Sequence, residues 1–203
     1  MSGPPRLDDP GRRRVAIAQR VADTHRGIDD ASLLSFVSGS TVDNLADDRS
    51  DVDMSVVFAA LPDEPVLRAA CRSVGSDWIW SLGAWAEGAV VVAFHVDGIE
   101  VQTGYSSQAQ LTAEIDQVLV AHDPDTPNHK LAEGVAKALP LAGAAAFAAL
   151  QTRVAVFPPA LGRRWCGMGW PRRRRGARSR RSSTATPGCG AARSRSMPAT
   201  AFS

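Results

Sequence analysis

No two cysteines in this chain are spaced to ligate zinc. The three present, Cys71, Cys166 and Cys189, are odd in number and far apart. That removes a disulfide framework along with any CxxC metal site, and it suits a reducing, cytoplasmic setting. Long apolar runs are missing too: the longest, Ala138 to Leu150, is about half of the ~20 residues that cross a bilayer. No transmembrane segment or membrane partner is expected, and Arg20 interrupts the apolar stretch after Arg12, Arg13 and Arg14 too early for a secretory signal. Acid is absent from residue 162 onward, where 11 Arg stand without a single Lys, whereas residues 1–161 hold 12 Lys+Arg against all 21 Asp+Glu. A net charge of only +2 over 203 residues hides this division.

Residues 162–203 show neither the helical nor the strand period. A basic arm for nucleic acid is one reading and an ordinary disordered tail is another. The preferred one is a reading-frame shift near Leu161. Arg, Gly, Pro and Ala are what GC-rich codons encode in any frame, and LPLAGAAAFAALQTRVAVFPPAL just before it reads as a helical region that should continue. A nucleic-acid partner is therefore not expected.

The remainder, 44% hydrophobic over the whole chain, suffices for the core of one domain. Residues 1–11 are Pro- and Gly-rich and are expected to be disordered. From Arg12 to about His25 apolar positions recur at helical spacing. Ala31–Ser38 and Asp51–Phe58 read as strands. Asp63–Val74, between Pro62 and Gly75, reads as a helix. SDWIWSLGAWAEG reads as a loop or short helix. Ala89–Val96 and Ile99–Tyr105 are strands joined by Asp97-Gly98, a strong hairpin signal. Ser107–Val120 is a helix, and a second runs from about His129 into AAAFAAL. The expected fold is α+β (mixed α/β), a small mixed sheet with flanking helices followed by a helical segment. Its expected parts are a catalytic domain at 12–125, the start of a C-terminal helical region at 126–161 and the disordered Arg-rich tail at 162–203.

One constellation carries chemistry. Gly39-Ser40 ends a strand, and Asp51-Val52-Asp53 opens the next. Side chains alternate along a strand, so the two acids point the same way. Paired carboxylates ionise together only with a cation between them, and Mg²⁺ favours one or two carboxylates with waters and substrate phosphates. Gly39 permits close approach of a polyphosphate to the backbone. Ser40 offers a hydroxyl and an N–H at what TVDNLADD could make a helix N-terminus. Glu100, just after the hairpin turn, reaches the same site if its strand neighbours DVDMSVVF, and two-metal phosphoryl transfer needs such a cluster.

With Ser50 preceding the first Asp, FVSGSTVDNLADDRSDVDMSVVF resembles the signature of the DNA polymerase β-type nucleotidyltransferase superfamily. The resemblance spans roughly residues 31–105 and looks nearer to the aminoglycoside- and lincosamide-modifying branch than to template-directed polymerases. It implies transfer of a nucleoside monophosphate from an NTP, ATP first among them, to a hydroxyl of a small-molecule acceptor, with release of pyrophosphate. Carried over residue by residue, Gly39 and Ser40 would bind the NTP phosphates. Asp51 and Asp53 would bind two Mg²⁺ ions, while Glu100 would bind the catalytic one and assist acceptor deprotonation. Rival readings are a degenerate, antitoxin-like binding protein and a nucleic-acid-binding protein acting through the basic tail.

Other residues have plainer readings. Asp97 is a turn residue, though the main rival to Glu100. Asp43, Asp47 and Asp48 are loop charges, and His95, His122 and His129 are structural. Trp78, Trp80 and Trp85 are core, with stacking on a base or acceptor as the alternative. Lys130 is a surface charge that could reach a phosphate, and Cys71 is a small buried hydrophobe.

Overall fold

The computed structural model describes residues 7–28, 33–121, 126 and 128–155. The readings made for the tail 162–203 and for His122 lie outside them. The first helix, α1 (Asp9–Arg26), starts three residues before Arg12, inside the segment expected to be disordered. Asp8 explains the early start: its carboxylate accepts the Gly11 N–H at 2.8 Å, and Pro10 occupies the first turn, where a missing N–H costs nothing. Ile17, Ala18, Val21 and Ala22 form its buried stripe.

The strands are β1 (Leu34–Ser38), β2 (Val52–Phe58), β3 (Trp80–Ala84), β4 (Ala89–Val96), β5 (Ile99–Ser107) and β6 (Leu139–Ala142). They form one six-stranded sheet in the order β3-β4-β5-β2-β1-β6. Only β2 and β5 run parallel; the other neighbours are antiparallel. With α2 (Glu64–Val74), α3 (Gln108–Leu119), α4 (His129–Lys137) and α5 (Ala144–Val154) flanking it, this is the expected α+β architecture with a mixed sheet. No helix among the described residues is long and apolar enough to cross a membrane.

Alternation along β2 decides where the core and the site lie. Val52, Met54, Val56 and Phe58 join Val90, Val92, Phe94 and Val101 in the core that α1 and α2 cover. On the opposite face Val57, Leu34 and Phe36 pack with α3, α4 and α5. Asp53 and Ser55, which share Val57's face, are only half-buried there.

Two elements differ from expectation. The stretch read as loop or short helix holds β3, an edge strand with Gly83 inside it, too short and too exposed on both faces to show a hydrophobic period. The single C-terminal helix is interrupted by β6. Pro140 ends helical hydrogen bonding and is tolerated because β6 is an edge strand. Gly143, at φ +66°, makes the turn into α5, where a Cβ would lie 2.7 Å from the Leu33 carbonyl oxygen.

Candidate active site

Asp53 lies in β2 with Ser38 of β1 as its register partner on one side and Gln102 of β5 on the other. Register partners share a sheet face, so Asp53 and Gln102 point the same way, as does Glu100, two residues before Gln102. Asp51 lies one residue ahead of the strand. The Gln102 amide Nε2 donates to Asp51 Oδ2 at 2.8 Å and to Glu100 Oε1 at 3.0 Å, so those carboxylate oxygens are within about 6 Å of each other. Gln102 escaped notice in the sequence. Its signal was the same alternation that selected Glu100: a polar residue two positions on, facing the same way.

The structure thus brings Asp51, Asp53 and Glu100 to one face of one sheet region. Among the described residues, no three His, Cys, Asp or Glu side chains converge as a formed metal-ion site. The Gln102 amide lies between two of the acids instead. Asp53 itself is half-buried. Burial first, and the charge of Asp51 second, raise its carboxyl from the ordinary range to about 6. Both influences disfavour the ionised form.

Gly39 follows β1 with φ +67°, and a Cβ there would collide with Asp53 Oδ2. Backbone conformation and close approach to the carboxylate both demand glycine. Ser40 occupies the single 3-10 turn Gly39–Thr41. TVDNLADD does not continue it as a helix: turns follow, with Asn44 at φ 53°. The expected helix N-terminus is therefore one short turn.

Arg14 holds the loop between that turn and Asp51. It is buried in α1 and donates to the Ser50 carbonyl through Nε (3.1 Å) and Nη2 (2.8 Å), to the Pro10 carbonyl (3.2 Å), and to the Asp47 carbonyl. Asp47 in turn caps the loop through the Ser50 hydroxyl (2.9 Å) and the Arg49 N–H (3.0 Å). Three consecutive Arg gave no hint that the third would turn inward.

Two clefts meet at Gln102. One, of about 750 Å³, lies between the sheet and α4 and is lined by Ser38, Gly39, Asp53, Ser55, Gln102, Lys130 and Lys137, among others. The other, of about 370 Å³, holds Asp51, Glu100 and His95. Lys137 Nζ bonds Glu133 at 3.1 Å and lies 3.8 Å from Asp43. Lys130 thus faces the site cleft and not bulk solvent alone. His95 is exposed as the register partner of Glu100, at the cleft rim and not in the core, whereas His129 is buried.

Asp97 takes no part. It forms the hairpin turn at φ 51° and pairs with Arg20 at 2.5 Å, and that bond holds its carboxyl below the ordinary range. The tryptophans divide. Trp78 and Trp85 stack at 5.9 Å and pack against the α1–α2 core, Trp85 donating to the Pro62 carbonyl. Trp80 is exposed. Cys71 is buried, as expected, but it is more than filler. Its sulfur contacts Tyr105 Oη at 3.2 Å, and Tyr105 Oη lies 2.8 Å from His25 Nε2.

Neither a family model nor a curated protein matches the chain. Among solved structures it is similar to the Cid1 poly(U) polymerase, at 10% identity and TM-score 0.38 over 64% of this chain and 48% of that one. It is similar also to terminal uridylyl transferase 4 from Trypanosoma brucei with bound dUTP, at 17% identity and TM-score 0.36 over 62% and 43%. A third is a chain of the GLD-2/RNP-8 complex, at 9% identity and TM-score 0.38 over 53% and 40%. The chain spans less than half the length of each.

Proposed function

We propose that this chain is a Mg²⁺-dependent nucleotidyltransferase that moves a nucleoside monophosphate from an NTP, ATP first among them, to a hydroxyl of a small-molecule acceptor. The observation that carries the reading is the Asp51–Asp53 pair. One of its carboxyls is pushed up to about 6 by burial and by the other's charge, an arrangement that costs stability until a cation arrives. The donor set fits Mg²⁺. It is all oxygen and anionic, and the Gln102 amide already places positive N–H groups between Asp51 and Glu100.

Asp51, Asp53 and Glu100 would hold two ions. Bound Mg²⁺ would neutralise phosphate charge and ease ionisation of the acceptor hydroxyl. The protein's own share is positioning. Gly39 and the Ser40 hydroxyl would receive the NTP phosphates. Lys137, held between Asp43 and Glu133, would turn with Lys130 toward the triphosphate. Glu100 would accept the hydroxyl proton as the acceptor oxygen bonds to the α-phosphorus and the bond to pyrophosphate breaks. The test is pyrophosphate release from Mg·ATP with a panel of small-molecule alcohols, alongside an RNA 3′ end. Acceptor-dependent release that Asp51→Asn abolishes supports the proposal. Release only with RNA retains nucleotidyl transfer and removes the small-molecule acceptor.

A further inference from the structure

The site face of the sheet continues beyond the acids onto its open side. Two cross-strand rows run outward from β2. The first is Asp53, Gln102, Ala93, Trp80; the second is Ser55, Gly104, Val91, Leu82. Each row steps through β2, β5, β4 and β3, so all these side chains share the face of Asp53. Near the acids the rows are polar or small. At their outer ends they become apolar and exposed: Trp80 is 39% exposed, Leu82 70% and Val91 38%. Val91 also lines the larger cleft with Asp53, so the apolar ledge and the acids belong to one continuous surface.

Distance and charge select the occupant. Strands lie about 4.8 Å apart, which puts the ledge roughly 10–14 Å from the β2 acids. That is about the reach of a hydroxyl-bearing arm attached to a ring system. Along β3 and β4 the described site-face side chains carry no charge until His95, which stands at the far end beside Glu100. Among the described residues, a polycationic acceptor meets no carboxylate on the ledge, and the cations nearest in the shared cleft, Lys130 and Lys137, stand on its α4 wall and not on the ledge, whereas single-strand binding combines aromatic stacking with cations along the strand.

We infer that Trp80, Leu82 and Val91 form the acceptor subsite, and that the acceptor is an uncharged molecule with a planar apolar ring and a hydroxyl arm. The inference rests on the nucleotidyl-transfer reading above for the direction of that arm. The ring lies on the ledge, Gly104, which lines the cleft with Val91 and Asp53, keeps the floor low beneath the connecting arm, and the hydroxyl reaches the carboxylates.

The test uses the full chain and equilibrium dialysis against 2-(2-naphthyl)ethanol, a neutral planar alcohol. Saturable binding is expected, and neither spermine nor hexauridylate should displace it. Leu82→Ser removes exposed apolar contact with no core to disturb and should weaken binding about tenfold. Trp80→Ser should do the same, with circular dichroism confirming that both variants fold. Mg·ATP binding, measured on the same samples, should be unchanged in Leu82→Ser and lost in Asp53→Asn, while Asp53→Asn keeps the naphthyl alcohol. Loss of the transferase reading alone would show as naphthyl binding without Mg·ATP binding. The ledge proposal is overturned by absence of saturable naphthyl binding, by displacement with hexauridylate, or by a dimer that Leu82→Ser splits. The last result would assign the ledge to a second copy of the chain.

Discussion

Asp53→Asn isolates charge from shape. In the native chain the Asp53 carboxyl titrates at about 6, against about 3.9 in an unfolded chain. Between those values the native state holds a proton that the unfolded state has released. Stability therefore falls as pH rises from about 4 to about 6, and the cost is complete above about pH 7. Two pH units correspond to roughly 3 kcal/mol, which solvent at a half-buried carboxylate reduces to about 1–3 kcal/mol. Asn carries none of this cost. At pH 8, without metal, Asp53→Asn is expected to melt about 3–10 °C above the wild type, and at pH 4 the two should coincide. His25 acts in the opposite sense. Burial lowers its pKa, so its contribution is lost as pH falls below about 6.5, equally in both proteins. The difference curve cancels it. Millimolar Mg²⁺ should raise the wild-type melting temperature at pH 8 and leave the variant's unchanged, and pyrophosphate release should vanish in the variant. The assay is calorimetric melting from pH 4 to 8 with and without MgCl2 and ATP. A variant less stable than wild type at pH 8, or one that retains turnover, refutes the reasoning.

Gly39→Ala places a methyl against Asp53 Oδ2 at positive φ; it should cost about 1–3 kcal/mol and weaken Mg·ATP binding, read by denaturant titration and calorimetry. Arg14→Met leaves the part-buried carbonyls of Asp47 and Ser50 without the guanidinium that bridges them to α1. A loss of about 2–4 kcal/mol is expected, with faster amide exchange across residues 47–51; unchanged exchange there would show that Arg14 does not hold the loop. Tyr105→Phe removes the hydroxyl joining Cys71 to His25 and should cost about 1–3 kcal/mol while leaving Mg·ATP affinity unchanged, because Tyr105 faces away from the acids. Gln102→Glu sets a carboxylate between Asp51 and Glu100. It should destabilise the metal-free protein above about pH 5 and steepen its stabilisation by Mg²⁺.

The orientation of Asp51 and Asp53 was legible because it obeys a local rule. Alternation alone turns Asp51 and Asp53 the same way, and the hairpin at Asp97-Gly98 fixes where the strand of Glu100 begins; Glu100 joins their face only through strand pairing. The parallel pairing of β2 with β5, which brings those strands together, is non-local and left no mark in either segment. Arg14 and the Cys71–Tyr105–His25 chain were hidden for the same reason: they act through partners tens of residues away. β3 was missed because an edge strand exposed on both faces has no apolar period to read. β6 was missed because its alanine-rich flanks match a helix, and pairing with β1 overrides that propensity. The frame-shift reading of residues 162–203 is tested by the nucleotide sequence around codon 161.

The short strand β6 ties the two walls of the cleft into one mechanical unit. It hydrogen-bonds to β1, the strand that delivers Gly39, and it separates α4, which carries Lys130 and Lys137, from α5. Only Ala138 lies between α4 and that ladder, so the end of α4 that carries Lys137 is tethered beside the strand that delivers the glycine facing Asp53. Amide protection in β6 should accordingly rise and fall with that of β1, not with the helices on either side of it.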